Sequence, residues 1–231
     1  MTHLPAAKLV VHPLGARHLI DPAKLMAGAR AVYGDEEVAR SYGDVVGVAA
    51  DRVLTTADGM VLELAGRPLT FLDTPGHARH HHCIWDERSR GFFTGDTFGL
   101  SYREFDTTHG PWLLPTTTPV QFDPPALRRS VERMLAYAPE GMYLTHFGRV
   151  GDVAALGASF LAQLDDLVAL ALPLRGHPQR HAALREALQA GYLARLAAHG
   201  CALPQAEALA LLEMDLELNA QGIGVWLDKA P

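Results

Sequence analysis

Between Phe71 and Phe98 the chain reads FLDTPGHARHHHCIWDERSRGFFTGDTF, which sets His77, His80, His81, His82 and Cys83 within seven residues and Asp96 in a Gly-Asp-Thr turn. Imidazole, thiolate and carboxylate are the groups that divalent metals take as ligands. Three positions stand apart from a merely histidine-rich chain: His77 in TPGH, Asp96 in TGDT and His146 in LTHFG. Each follows an apolar run and is flanked by Gly, Pro or Thr. Each is therefore expected on a loop at the end of a strand, where a rigid sheet presents reactive groups. A mixed His and Asp set suits a hard or borderline dication.

The elements that must position these residues can be read from the pattern around them. KLVVH, Lys8 to His12, predicts a short buried strand ended by Pro13, and Asp21 to Gly43 reads as helical, with Asp21 as cap and Pro22 in the first turn. Met60 to Gly76 alternates apolar and polar residues on both sides of Ala65-Gly66-Arg67, a hairpin whose second strand runs into His77. His82 to Asp96 repeat the pattern, turning at Glu87 to Arg90 and ending at Asp96. Alternation along the HHHC stretch places His80 and His82 opposite His81, as solvent or core histidines. Cys83 and Cys201 read as small buried hydrophobes. Residues 100–125, rich in proline, threonine and aromatics, are too long for a connector and are expected as a lid or substrate wall, with Tyr102, His109 and Trp112 as candidate substrate contacts. A helix, a short strand Met142 to Leu144 and the His146 loop follow, and beyond Asp152 the Ala and Leu spacing predicts three amphipathic helices.

Composition narrows the function classes. With 231 residues, 48% hydrophobic and 20% charged, the chain has the makeup of a soluble globular protein. A net charge of -6 and a pI near 6.0 argue against nucleic-acid or anionic-membrane partners and leave a small-molecule substrate. The apolar runs read as broken by charges or prolines before a membrane-spanning length. Two cysteines are too few for a disulfide framework, and the N-terminal residues lack the pattern of a signal peptide, so a reducing, cytoplasmic setting is expected.

Taken in order, TPGHARHH, FTGDT and LTHFG resemble the later metal-binding motifs of the metallo-β-lactamase fold hydrolases, the glyoxalase II-like branch especially. The resemblance runs from Lys8 to Val150. It implies an α/β fold: a partial metallo-β-lactamase αββα sandwich over residues 1–151, followed by a helical C-terminal extension over residues 152–231. It also implies two divalent metals, zinc first, with iron or manganese as alternatives. His77 would hold one ion and His146 the other, with Asp96 as the bridging, catalytic carboxylate. His81, four residues after His77, would orient a ligand, and His80 and His82 match no ligand position. The family's first motif, His-x-His-x-Asp-His, does not occur in this sequence. Its place is upstream of the strand matching KLVVH, so the expectation is that Met1 is internal to a longer protein and the chain is N-terminally truncated.

The implied chemistry is hydrolysis of a thioester, ester, lactone or lactam by a water activated between two metals, impaired here for want of the first motif. The C-terminal helices could add substrate contacts or a homodimer interface. Two other readings stand beside this one: a metal-free binding module that pairs with another chain, and a diiron redox enzyme on the same fold.

Overall fold

A computed structural model describes residues 1, 3–119 and 121–229, so the final two residues of the expected helical extension lie outside the described ones. The chain divides into two compact units, Met1–Met60 and Val61–Pro231. In the first, β1 (Leu9–Val11) pairs in parallel with β2 (Val53–Thr55), and α1 (Pro13–Ile20), α2 (Ala23–Tyr33) and α3 (Asp35–Tyr42) lie between them in sequence. Pro13 does more than end the strand. It opens α1, where the missing N–H costs nothing, and the His12 imidazole accepts from Leu14 N as the cap. The single helix expected from Asp21 to Gly43 is two, because Gly34 turns to φ 83° between α2 and α3.

The second unit holds a six-stranded sheet in the order β3 (Met60–Leu64), β4 (Arg67–Asp73), β5 (His82–Asp86), β6 (Gly91–Gly95), β7 (Gly141–Leu144), β8 (Gly148–Val150). Ala65 and Gly66 take φ of 51° and 74°, the positive pair a two-residue type I′ hairpin needs. Arg67 Nε donates to Asp86 Oδ1 at 2.7 Å and clamps β4 to β5, which holds the Asp86 carboxyl well below the usual carboxylate range. The register pairs Leu72 with Cys83, Trp85 with Phe92, Phe92 with Met142 and Met142 with Val150, so these buried residues share one face. Leu127, Val131 and Met134 of α4 (Pro124–Leu135) and Leu156 and Phe160 of α5 (Val153–Ala171) join them in the core. The opposite face carries Phe71, Ile84, Phe93 and Tyr143, with Phe93 stacked on Tyr143 and 44% exposed.

After α5 come α6 (Arg180–Ala198) and α7 (Gln205–Lys229), packed on each other within the same unit as the sheet. The segment Val153–Leu174 is long and apolar enough to cross a membrane by length and composition, with mean hydropathy 1.5, though Asp165, Asp166 and Pro173 interrupt it as expected. Its apolarity has a local cause, since Leu156, Phe160, Leu164 and Leu167 form a buried stripe in the core. A correction concerns the histidines. Residues 77–81 form a turn and β5 starts only at His82, so strand alternation does not govern His80 and His81.

Candidate metal centre

Strands β4, β6 and β7 run in one direction, because β5 is antiparallel to both β4 and β6 while β6 and β7 are parallel. Their C-terminal ends therefore share one sheet edge, and the loops leaving them carry His77, Asp96 and His146. Two glycines let those loops approach their supports. Gly76 has φ 137°, and a Cβ there would lie 2.2 Å from Leu127 Cα, so only glycine seats the TPGH turn on α4. Gly95, at φ 51°, would drive a Cβ to 2.1 Å from His81 Cε1.

The Asp96 carboxylate lies between two imidazoles. Oδ2 is 3.5 Å from His77 Nε2 and Oδ1 is 3.6 Å from His146 Nε2. The His77 side chain is 11% exposed, that of Asp96 29% and that of His146 54%, so the site opens on the His146 side. Asp96 Oδ1 is itself buried and has no hydrogen-bond partner. His77 Nδ1 lies 3.1 Å from the Thr116 carbonyl oxygen and 3.2 Å from Thr116 Oγ1; the carbonyl can only accept, which favours the proton on Nδ1, and in that tautomer Nε2 turns a lone pair toward Asp96. Burial lowers the His77 pKa, more than Asp96 and the Thr116 bond raise it, and keeps the ring neutral. A lone pair and a carboxylate oxygen facing each other repel unless a cation lies between them. Two donors about 2.0–2.1 Å from one tetrahedral ion stand about 3.4 Å apart, close to both separations here. The donor set thus fits a metal on each side of Asp96. Among the described residues, however, no group of three or more His, Cys, Asp or Glu side chains could hold an ion by itself.

His81 supports this carboxylate through the backbone: its Nε2 accepts from Asp96 N at 3.1 Å and its Nδ1 meets Thr97 Oγ1 at 3.0 Å. Both ring nitrogens are thereby used on the Asp96 loop. His80 Nδ1 meets Gln121 Oε1, and His82 packs edge-on against Phe71. Burial raises the Cys83 thiol to about 11, and with Thr74 and Thr94 as its partners it stays a protonated core group.

Several supporting residues carry no local sequence signal. Asn219 of α7 is 1% exposed; its Oδ1 accepts from Thr117 N, and its Nδ2 donates to the Pro115 carbonyl and to Tyr192 Oη. It thereby fixes the residues on either side of Thr116, the His77 partner. Thr118 Oγ1 donates to the His77 carbonyl at 2.8 Å. The expected substrate contacts separate. Trp112 is 4% exposed, edge-on to Phe105 and Tyr192, so it is corrected to a core anchor. His109 is tied through Nδ1 to the His199 carbonyl at the end of α6. Tyr102 lies against Phe147, the neighbour of His146, with ring centroids 4.5 Å apart, and its hydroxyl donates to Asp215 Oδ2 of α7 at 2.7 Å.

Burial raises the Asp215 carboxyl above the usual range, against the opposing effects of the Tyr102 bond and His146. Tyr102→Phe takes a donor from this largely buried acid and should cost about 2 kcal/mol at neutral pH in urea melts. The cost should fade as pH falls through the raised folded pKa of Asp215, because the unfolded carboxyl titrates alike in both proteins and a protonated Asp215 no longer depends on that donor. Adding Asp215→Leu should recover most of the loss. A pH-independent loss would exclude this account.

The metallo-beta-lactamase superfamily model matches residues 3–146. Comparison with curated proteins gave no match. Among solved structures, an archaeal metallo-beta-lactamase superfamily protein from Sulfolobus tokodaii is 26% identical with a TM-score of 0.58, covering 70% of this chain and 59% of its own. A metallo-beta-lactamase family protein from Thermus thermophilus is 18% identical with a TM-score of 0.61, covering 96% of this chain and 67% of its own. The chain thus spans about three fifths to two thirds of the length of these two similar structures. With the family model covering more than half its length, the chain belongs to the metallo-beta-lactamase superfamily.

Proposed function

We propose that this chain carries the His77–Asp96–His146 part of a two-metal hydrolase of the glyoxalase II-like branch, acting on a small molecule with a thioester, ester, lactone or lactam carbonyl. The superfamily binds two metal ions, zinc or iron among them. The observation that carries the reading is the division of the Asp96 carboxylate, one oxygen toward each imidazole. When bound, two dications supply Lewis acidity and a water acidic enough to ionise near neutral pH. The chain's own residues hold the geometry. Asp96 offers one oxygen to each side and a negative charge between the two. The Thr116 carbonyl keeps the His77 proton on Nδ1 and so leaves Nε2 free to ligate. His81 sets the turn from which Asp96 projects. The open His146 side gives a substrate its approach.

On these three residues each ion would have one histidine and a shared carboxylate, short of the three or four protein ligands usual for zinc. We propose that ligands of the His-x-His-x-Asp-His type, from a further polypeptide segment, complete both sites. The test is zinc titration of the chain by calorimetry and elemental analysis after dialysis. Weak binding is expected, under one equivalent retained, with no thioester or lactone turnover above background. Under excess zinc, His77→Ala or His146→Ala should remove binding at its site, and His81→Ala should weaken it about 10–100-fold. His80→Ala and His82→Ala should change little. Equal losses at all of these histidines would point to a surface cluster and reject the site.

A further inference from the structure

The hairpin that carries His146 closes through Thr145, His146 and Phe147, because Leu144 of β7 pairs with Gly148 of β8. Three-residue hairpin loops commonly put their last residue at positive φ, where glycine is the default. Here that residue is Phe147, at φ 72°, followed by Gly148 at φ 94°. A bulky side chain in the left-handed region persists only where its surroundings impose it. Two successive residues of the 100–125 loop do so. The Tyr102 ring packs against the Phe147 ring with 4.5 Å between centroids, and its hydroxyl ties it to Asp215 of α7. The Arg103 guanidinium donates from Nη2 to the Phe147 carbonyl and, at 3.0 Å, to the Arg149 carbonyl. Because β8 ends the sheet, its outer edge has no further strand to pair with, and Arg103 takes up these two acceptors instead.

We propose that Arg103 is a positioning residue for His146: by fixing the Phe147 and Arg149 carbonyls it holds the loop so that His146 Nε2 faces Asp96 Oδ1. Its use to a metal rests on the two-metal reading, whereas the restraint on the loop belongs to the metal-free chain. The two histidines differ in what aims them. His77 is buried, and its Nδ1 meets Thr116. The His146 side chain is 54% exposed, and among the described residues none hydrogen-bonds its ring, so its direction depends on the backbone that carries it. Ligand atoms must stay within about 0.5 Å of a productive position, which a half-exposed ring on an unrestrained loop does not. Arginine suits the task because one planar group serves several acceptors: Nη2 the two carbonyls, and Nη1 the Asp106 carboxylate at 3.4 Å. The Arg103 side chain is 42% exposed and lies outside the hydrophobic core, so its loss should leave the fold standing.

The test follows the full chain by NMR, first without metal and then with zinc as the probe. In metal-free Arg103→Ala, the amides of residues 145–150 should exchange with solvent about tenfold faster, for want of two charge-assisted hydrogen bonds. The His146 ring nitrogen signals should move toward those of a freely averaging imidazole, while the signals of His77 and of the core stay in place. In zinc titrations read at each imidazole, the apparent Kd at His146 should rise about tenfold, the lower end of the loss for a supporting residue, and that at His77 should not change. Arg103→Lys keeps a cationic donor on a shorter stem and should recover part of both losses. Asp106→Ala leaves both carbonyl bonds in place and should change neither. Unaltered exchange and unaltered His146 signals in metal-free Arg103→Ala would overturn the proposal. So would His77 signals that shift together with those of His146, which would make Arg103 a general support of the fold. If zinc moves neither imidazole of the wild type, the two-metal reading fails, and the metal-free comparison still decides whether Arg103 positions His146.

Discussion

Asp96→Asn is expected to abolish zinc binding at both sites together, while His77→Ala and His146→Ala each remove one. The asymmetry comes from the placement of Asp96, with Oδ2 on the His77 side and Oδ1 on the His146 side. An asparagine of the same shape loses the negative charge that two neighbouring dications require, and it puts an N–H donor where one ligand oxygen stood. Affinity should fall by more than about a hundredfold, beyond the usual loss for a supporting residue. Metal-free stability should move the other way. Without metal, Asp96 turns an oxygen toward the lone pair of a neutral His77 and leaves Oδ1 buried and unbonded. The asparagine amide can donate to His77 Nε2, so the variant should melt at or above the wild type at pH 8. Such opposed changes mark a group kept for a ligand at some cost in stability. A variant that melts well below wild type while retaining zinc would show that Asp96 is structural.

The part of this site that can be read in the sequence is the part built locally. A hairpin pattern ending in Thr-Pro-Gly-His, another ending in Gly-Asp, and a short apolar strand before His146 each report an element together with the residue at its end. Strands that share a direction then bring those ends to one edge. Helices α5 to α7 are equally legible, since their spacing is internal to each helix. What a local pattern lacks is context. Pro13 looks the same ending a strand or opening a helix, and only the His12 cap decides. Strand alternation misplaces the histidines at 80 and 81, because a turn cancels it. Trp112 sits in a loop rich in proline and threonine, yet that loop is core because Leu113, Leu114 and Phe105 are buried with it. Thr116, Asp215 and Asn219 carry no motif at all. Their roles arise from side chains meeting across about forty to more than one hundred residues of sequence, and no local pattern encodes such a meeting.

Asn219 is where that long-range support should matter most. Its side chain joins α7 to two backbone groups and to Tyr192 Oη of α6, all at buried positions: the bonds are 2.8 Å to Thr117 N, 3.2 Å to the Pro115 carbonyl and 2.8 Å to the tyrosine. Asn219→Ala leaves an amide, a carbonyl and a phenol short of partners at once. At about 1–3 kcal/mol for each buried group left unbonded, less whatever water recovers, the loss should be about 4 kcal/mol. For a chain of this size that is a fall in Tm of about 10 °C. A second effect separates positioning from stability. Pro115 and Thr117 bracket Thr116, whose carbonyl fixes the His77 proton, so loosening them should weaken zinc binding on the His77 side at temperatures where the variant is still folded. If Asn219→Ala melts within about 2 °C of wild type, α7 is not the support assigned to it; if it melts low but binds zinc with unchanged affinity, the link from Asn219 through Thr116 to His77 is broken.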